Sequence, residues 1–188
     1  MTEIYLLDAN VFITPHRLYY PFDFAQGFWD QLAERLKLDN VAVLDVVVSE
    51  VSKMEDELSS WIGNLEEFES LSIKAPSFVA NYGRVLNYIK DCGLYREGAL
   101  RSWARGDIAD PWLIAVAMDT GAVIITEETS AGPISPKNKS RNAKLPDVAA
   151  HFGVRCADLF YFMNVLMYRE GVTWRDIYAE LDRRHKST

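Results

Sequence analysis

The sequence predicts an α/β protein built on a mainly parallel sheet, and three observations carry that prediction. Apolar runs at residues 4–7, 41–44 and 122–125 are long enough for buried strands and too short for helices. Between them lie stretches whose apolar residues recur at helical spacing, as crossover connections between parallel strands require. Each run also ends beside an acid: Asp8, Asp45, and the pair Glu127-Glu128. Parallel strands with helical crossovers end on one side of the sheet, and open sheets of this kind bind ligands at that edge.

Composition sets the outer bounds. A chain of 188 residues fits a single domain spanning 1–188, with enough length for a substantial core. At 49% apolar and 25% charged it has ordinary globular composition. The formal net charge of -7 excludes a protein that coats nucleic acid through bulk charge, though not a small basic groove. Cys92 and Cys156 lack the paired spacing of a zinc site and are expected as free thiols. The chain shows no basic segment leading into a long apolar core and no membrane-length apolar stretch, so a cytoplasmic protein without membrane contact is expected.

The first run delivers Asp8 to the sheet edge, where a cap or turn is its bland alternative role. Two prolines and several tyrosines between Pro15 and Pro21 suggest a loop packed across the protein. Phe28, Leu32 and Leu36 then mark an amphipathic helix over 24–38. The second strand, closed by Asp45, leads into a helix over 46–54 that carries Glu50 near its start. Residues 55–71 read as helical with a solvated acidic face, which gives Glu66, Glu67 and Glu69 little functional weight. A helix from Pro76 to Gly93 and a shorter one over 95–103 complete a helical insertion between the second and third strands.

The stretch Asp107-Ile108-Ala109-Asp110-Pro111-Trp112-Leu113-Ile114-Ala115-Val116-Ala117-Met118 is the most informative. It predicts a helix buried on most sides, with Pro at a first-turn position and Asp110 as an N-cap at the edge of the core. After the third strand come Thr126-Glu127-Glu128, and then a loop over 130–146 that carries Lys137, Lys139, Arg141 and Lys144 but no acid. Positive charge beside a carboxylate edge suits substrate phosphates, although a solvated mobile loop has the same composition. A helix over 148–152, a short strand at 154–156 and helices over 157–168 and from Thr173 close the chain, the last with Trp174, Ile177, Tyr178 and Leu181 as its stripe. His16, His151 and His185 form no recognisable catalytic group and are expected to be structural or exposed.

Brought to one edge, Asp8, Glu50, Asp110 and Glu128 would repel one another unless a cation lay between them. Oxygen donors without Cys or His favour Mg²⁺ or Mn²⁺ over zinc. Such a pocket suits phosphodiester cleavage, in which metal ions activate water and stabilise the leaving oxygen.

Leu7-Asp8-Ala9-Asn10, Val48-Ser49-Glu50-Val51, Ala109-Asp110-Pro111-Trp112-Leu113 and Ile124-Ile125-Thr126-Glu127-Glu128 together resemble the PIN domain, in its order and over almost the whole chain. The resemblance implies a three-layer α/β/α sandwich with a mainly parallel central sheet. It implies Asp8, Glu50, Asp110 and Glu128 as catalytic and metal-binding acids for Mg²⁺ or Mn²⁺, with Asn10 and Thr126 supporting them. The fourth acid departs from the commoner Asp, so Glu127 competes with Glu128, and Asp107 competes with Asp110.

In size the chain is similar to a bacterial or archaeal PIN-like subgroup of unknown function whose members are suspected toxins. The expected activity is that of a metal-dependent endoribonuclease, similar to VapC toxins, with RNA as substrate and an antitoxin protein and a homodimer as candidate assemblies. Lys137, Lys139, Arg141 and Lys144 would hold phosphates. Tyr19 and Tyr20 are expected to pack within the protein, with stacking on unpaired bases as the alternative. A nucleic-acid-binding module with little catalysis and a structure-specific DNA nuclease are the competing readings.

Overall fold

The computed structural model describes residues 3–66 and 68–169. Its four strands are β1 (Tyr5–Leu7), β2 (Val41–Val43), β3 (Val123–Ile125) and β4 (Cys156–Ala157), all parallel in the order β2-β1-β3-β4. The chain steps from β1 to β2, then crosses back to β3 on the other flank of β1. Right-handed crossovers therefore place the connections before and after β2 on opposite faces, which makes the three-layer α/β/α sandwich. Tyr5, Leu6 and Leu7 and their neighbours Val123, Ile124 and Ile125 are all buried, as in a sheet covered on both faces. The reversal of strand order beside β1 leaves a crevice at the carboxyl edge, between β1 and β3.

The helices are α1 (Asn10–Thr14), α2 (Phe22–Leu36), α3 (Asp45–Ser52), α4 (Glu57–Gly63), α5 (Pro76–Asp91), α6 (Glu97–Trp103), α7 (Asp110–Thr120), α8 (Leu145–His151) and α9 (Leu159–Arg169). Helix α7 is lined by buried Leu113, Ile114, Ala115, Val116 and Ala117, as its uninterrupted apolar sequence requires. It stops at Gly121, whose φ of 72° is a left-handed conformation that glycine adopts without steric cost. None of the described helices is long and apolar enough to cross a membrane.

Three local expectations need correction. The segment from Pro15 is helical rather than a loop: α1 continues into a π-helical turn, Pro15–Tyr19, closed by the Tyr20 N–H donating to the Pro15 carbonyl at 2.7 Å. Proline is well suited to a helical first turn, and the Trp29 indole donates to the Tyr20 carbonyl at 2.7 Å, tying the turn to α2. Helix α4 is shorter than the acidic pattern suggested. Asp56 caps it by accepting from the Ser59 N–H, and beyond it the chain extends so that Leu71 pairs in parallel with Leu44 beside β2. Lastly, Ala109 occupies the cap position of α7, and Asp110 is its first helical residue, with no capping hydrogen bond from the side chain at position 109.

Residues from Thr173 onward, including Trp174, Ile177, Tyr178, Leu181 and His185, lie outside the described residues, as does Glu67.

Candidate active site

Asp8 stands one residue past β1, 4% exposed. Its backbone N–H continues the ladder to the Ile125 carbonyl at 3.0 Å, so the sheet fixes its place. One carboxylate oxygen accepts from the Ala9 N–H at 2.7 Å, and the other from the Thr126 hydroxyl at 2.8 Å. Thr126 occupies the equivalent place past β3 and is itself buried. A hydroxyl has one proton to give and two lone pairs to offer. Thr126 can give the proton to Asp8 while accepting from Asn10 Nδ2 at 3.1 Å and the Glu128 N–H at 3.0 Å. The Glu127 N–H donates to Asn10 Oδ1 at 2.8 Å, which sets the orientation of that amide. Asn10 and Thr126 thus form a clamp joining the ends of β1 and β3 around Asp8.

Thr126→Val keeps the shape of this clamp and removes its chemistry. Loss of buried hydrogen-bond partners costs about 1–3 kcal/mol, and the melting temperature is expected to fall by roughly 3–10 °C, with Thr126→Ser close to wild type.

Asp110 reaches the same crevice from the first turn of α7. Its carboxyl is held well above the usual range by burial first, then by the charges of Asp8, Glu128 and Glu50, with Lys144 opposing. Burial likewise pushes Asp8 up to about 7, against the hydrogen bonds from Thr126 and Ala9 and with the help of Glu50 and Glu128. Glu50, in the second turn of α3, is raised by burial, opposed by Lys53 and the Ala109 N–H, and raised further by Asp107. The four acids expected to converge therefore act on one another electrostatically. Among the described residues the Asp110 side chain accepts no hydrogen bond, and no three Asp, Glu, His or Cys side chains stand close enough to ligate one ion together.

The two glutamates after Thr126 part ways. Glu127 turns to α9 and accepts from the Leu159 N–H at 2.9 Å. Glu128 accepts from Lys144 Nζ and from the Leu145 N–H at the start of α8, both at 2.6 Å. Glu128, whose charge reaches Asp8 and Asp110, is the nearer of the pair. Asp107 acts on Glu50 but is not among the charges that raise Asp8 or Asp110; Arg105 and then Lys53 hydrogen-bond to its carboxyl and hold it down at about 2. Burial, then Asp8 and Glu128, push the Cys156 thiol up to about 11, which leaves it protonated and a poor metal ligand at neutral pH.

Of the four cations after β3, Lys144 is half-buried at the site, and its ammonium, paired with Glu128, is stabilised by it. Lys137, Lys139 and Arg141 are exposed. Their loop is pinned rather than free: the Ser140 N–H donates to the Leu94 carbonyl and the Arg96 N–H to Ser140, both at 2.9 Å, and Asp147 accepts from Ser130 and from the Ala131 N–H. Tyr20 stacks on Phe28 with ring centroids 4.4 Å apart, while Tyr19 is 56% exposed. His16 packs among Phe22 and Trp29 with Asp56 4.0 Å from its Nδ1, and His151 stacks on Tyr88.

A family model described as "Domain of unknown function (DUF4411)" matches residues 5–169, a span that contains every acid of the crevice. The chain belongs to the DUF4411 family. No curated protein matches it. Among solved structures, a chain of VapBC2 from Rickettsia felis, bound to a DNA fragment from their promoter, is similar at 17% identity and a TM-score of 0.44. That match covers 65% of this chain and 86% of the other. For this DUF4411 chain the parallel strand order itself carries the fold assignment.

Two residues near these acids carry no role in the sequence reading. Asp45 closes the β2 run as Asp8 closes β1, a signal that Glu50 overshadowed. Trp112, two residues past Asp110, was absorbed into an apolar helix although its indole N–H is buried without a partner among the described residues.

Proposed function

We propose that this DUF4411 protein is a divalent-metal-dependent endoribonuclease in which Asp8 and Asp110 hold Mg²⁺ or Mn²⁺. Asp110 supports this most directly, as a carboxylate at the strand-order reversal that is repelled by its acidic neighbours and without a hydrogen-bond donor among the described residues. The donor set fits such an ion, because Mg²⁺ keeps several waters and commonly takes only one or two carboxylates from the protein. A bound Mg²⁺ or Mn²⁺ supplies Lewis acidity, lowering the pKa of an attacking water and offsetting phosphate charge.

The chain's own groups supply the rest. Thr126 and Asn10 orient Asp8. Glu128, with both oxygens engaged by Lys144 and Leu145, acts through water, and Glu50 orients water from the α3 side. The ammonium of Lys144 and the exposed Lys137, Lys139 and Arg141 hold substrate phosphates, which positions RNA without reading its sequence. The toxin role implied by the resemblance to PIN domains belongs to the same proposal, with an antitoxin as partner.

Incubating purified protein with single-stranded RNA, structured RNA and flap DNA, each with Mn²⁺, Mg²⁺ or EDTA, tests it. RNA cut only with metal is the expected result. RNA bound but uncut would establish a binding module, and cutting confined to flap DNA would establish a DNA nuclease.

A further inference from the structure

We propose that a second cleft, beside the acids, is a base-recognition pocket that takes guanine next to the phosphodiester being cut. Its position relative to the cut rests on the nuclease reading, and its choice of base rests on the cleft's own residues. The cleft has a volume of about 520 Å³ and opens between α3, the start of α5 and the turn leading into α7. That volume lies within the roughly 300–1,000 Å³ typical of small-ligand pockets.

The cleft adjoins the acid site through two of its lining residues. Ser49 precedes Glu50 on α3, and Asp107 is near enough to Glu50 for its charge to act on it. Apolar walls come from Val79, half-exposed at 50%, and from Trp112, whose ring is backed by Tyr82 at 4.0 Å and 20°. Such walls suit a flat ring, which aromatic side chains bind on unpaired RNA bases.

The polar groups narrow the choice of ring. Asp45, Ser49 and Lys74 line the cleft, and Asp45 Oδ1 and Trp112 Nε1 are buried atoms without a hydrogen-bond partner among the described residues. Unmatched buried polar atoms are costly, and both belong to residues that line the same cleft. An aspartate only accepts, so its best partner is an edge with neighbouring N–H donors. Guanine presents two such donors on its Watson–Crick edge, followed by an oxygen that Lys74 can meet. Adenine and cytosine place a ring-nitrogen lone pair beside their amino group, and uracil flanks its single N–H with carbonyls. Each of these turns a lone pair towards the carboxylate.

Guanosine, adenosine, cytidine and uridine titrated into the full chain in EDTA, with the Trp112 indole N–H followed by NMR and identified with Trp112→Phe, test the pocket without catalysis. Guanosine is expected to shift that signal and to bind at least about tenfold tighter than the others. Asp45→Asn is expected to remove the preference, and Lys74→Met to weaken it, with melting temperatures reported alongside. If Asp45→Asn does not fold, Lys74→Met carries the test. Equal binding of the four nucleosides, or a preference that survives both substitutions, would overturn the pocket. Sequencing the ends of cut RNA separates it from the nuclease reading. Cleavage with no guanine preference at the cut and no guanosine binding removes the pocket alone. Guanosine binding lost in the variants, with RNA uncut, leaves the pocket and removes the nuclease.

Discussion

Asp110→Asn is expected to lower metal-dependent RNA cleavage by at least about a thousandfold while raising the melting temperature of the metal-free protein near pH 8. A metal's stabilisation of transition-state charge is worth several kcal/mol, which is on the order of a thousandfold in rate. The same substitution removes a buried charge that Asp8, Glu128 and Glu50 oppose. Relief of that repulsion raises the midpoint, each kcal/mol being worth roughly 2–4 °C in a chain of this size. Asp8→Asn should lose as much activity and gain less stability, because one amide oxygen cannot accept from both Ala9 and Thr126 as the carboxylate does. Measuring kcat/KM on RNA with Mn²⁺ beside thermal melts in EDTA checks both halves. An Asp110→Asn enzyme that cuts as well as wild type would remove Asp110 from the metal site.

The second large effect is a metal-free protein that is less stable near pH 8 than near pH 5, with Mn²⁺ narrowing the gap. Asp8 is raised from 3.8 to about 7, and Asp110 and Glu50 are raised as well. A carboxyl raised in the fold holds a proton that the unfolded chain has already released. Its stabilising contribution is therefore complete below its unfolded value and is lost as pH rises through the folded one. For Asp8 that window runs from about 4 to about 7. Asp107, held down at about 2, works in the opposite direction, and its window lies below that range. A ligand that binds only the folded state, at a hundred times its Kd, adds about 2.7 kcal/mol. Melts in EDTA and in Mn²⁺ across this range check the sign, with Asp110→Asn expected to flatten the EDTA curve. A stability that rises steadily from pH 5 to pH 8 in EDTA would contradict it.

Much of this arrangement was legible in the sequence because it depends on local signals. Runs of apolar residues ending at Asp8 and before Thr126 become β1 and β3, and their pairing alone sets the two side chains beside one another. The apolar α7 likewise could only be buried, which brought Asp110 to the edge of the core. What escaped depends on partners far along the chain. Glu128 and Glu127 are parted by the helix starts at Leu145 and Leu159, 17 and 32 residues further on, which no local pattern announces. The composition of the lysine-rich loop suits a mobile segment as well as a phosphate-binding one, and only its distant ties decide its order: Ser140 joins it to the turn between α5 and α6, and Asp147 joins it to α8. The helical turn after Pro15 was hidden by prolines and tyrosines that usually mark loops, and its anchor is Trp29 on another helix.

The cation site itself is tested most directly by titrating Mn²⁺ into metal-free protein near neutral pH and following heat or the Mn²⁺ electron-paramagnetic signal. The expected result is saturable binding by wild type that is lost in both Asp8→Asn and Asp110→Asn while each variant keeps a cooperative thermal transition. Wild type that binds no Mn²⁺, or variants that bind it as wild type does, would contradict a metal centre built on these acids.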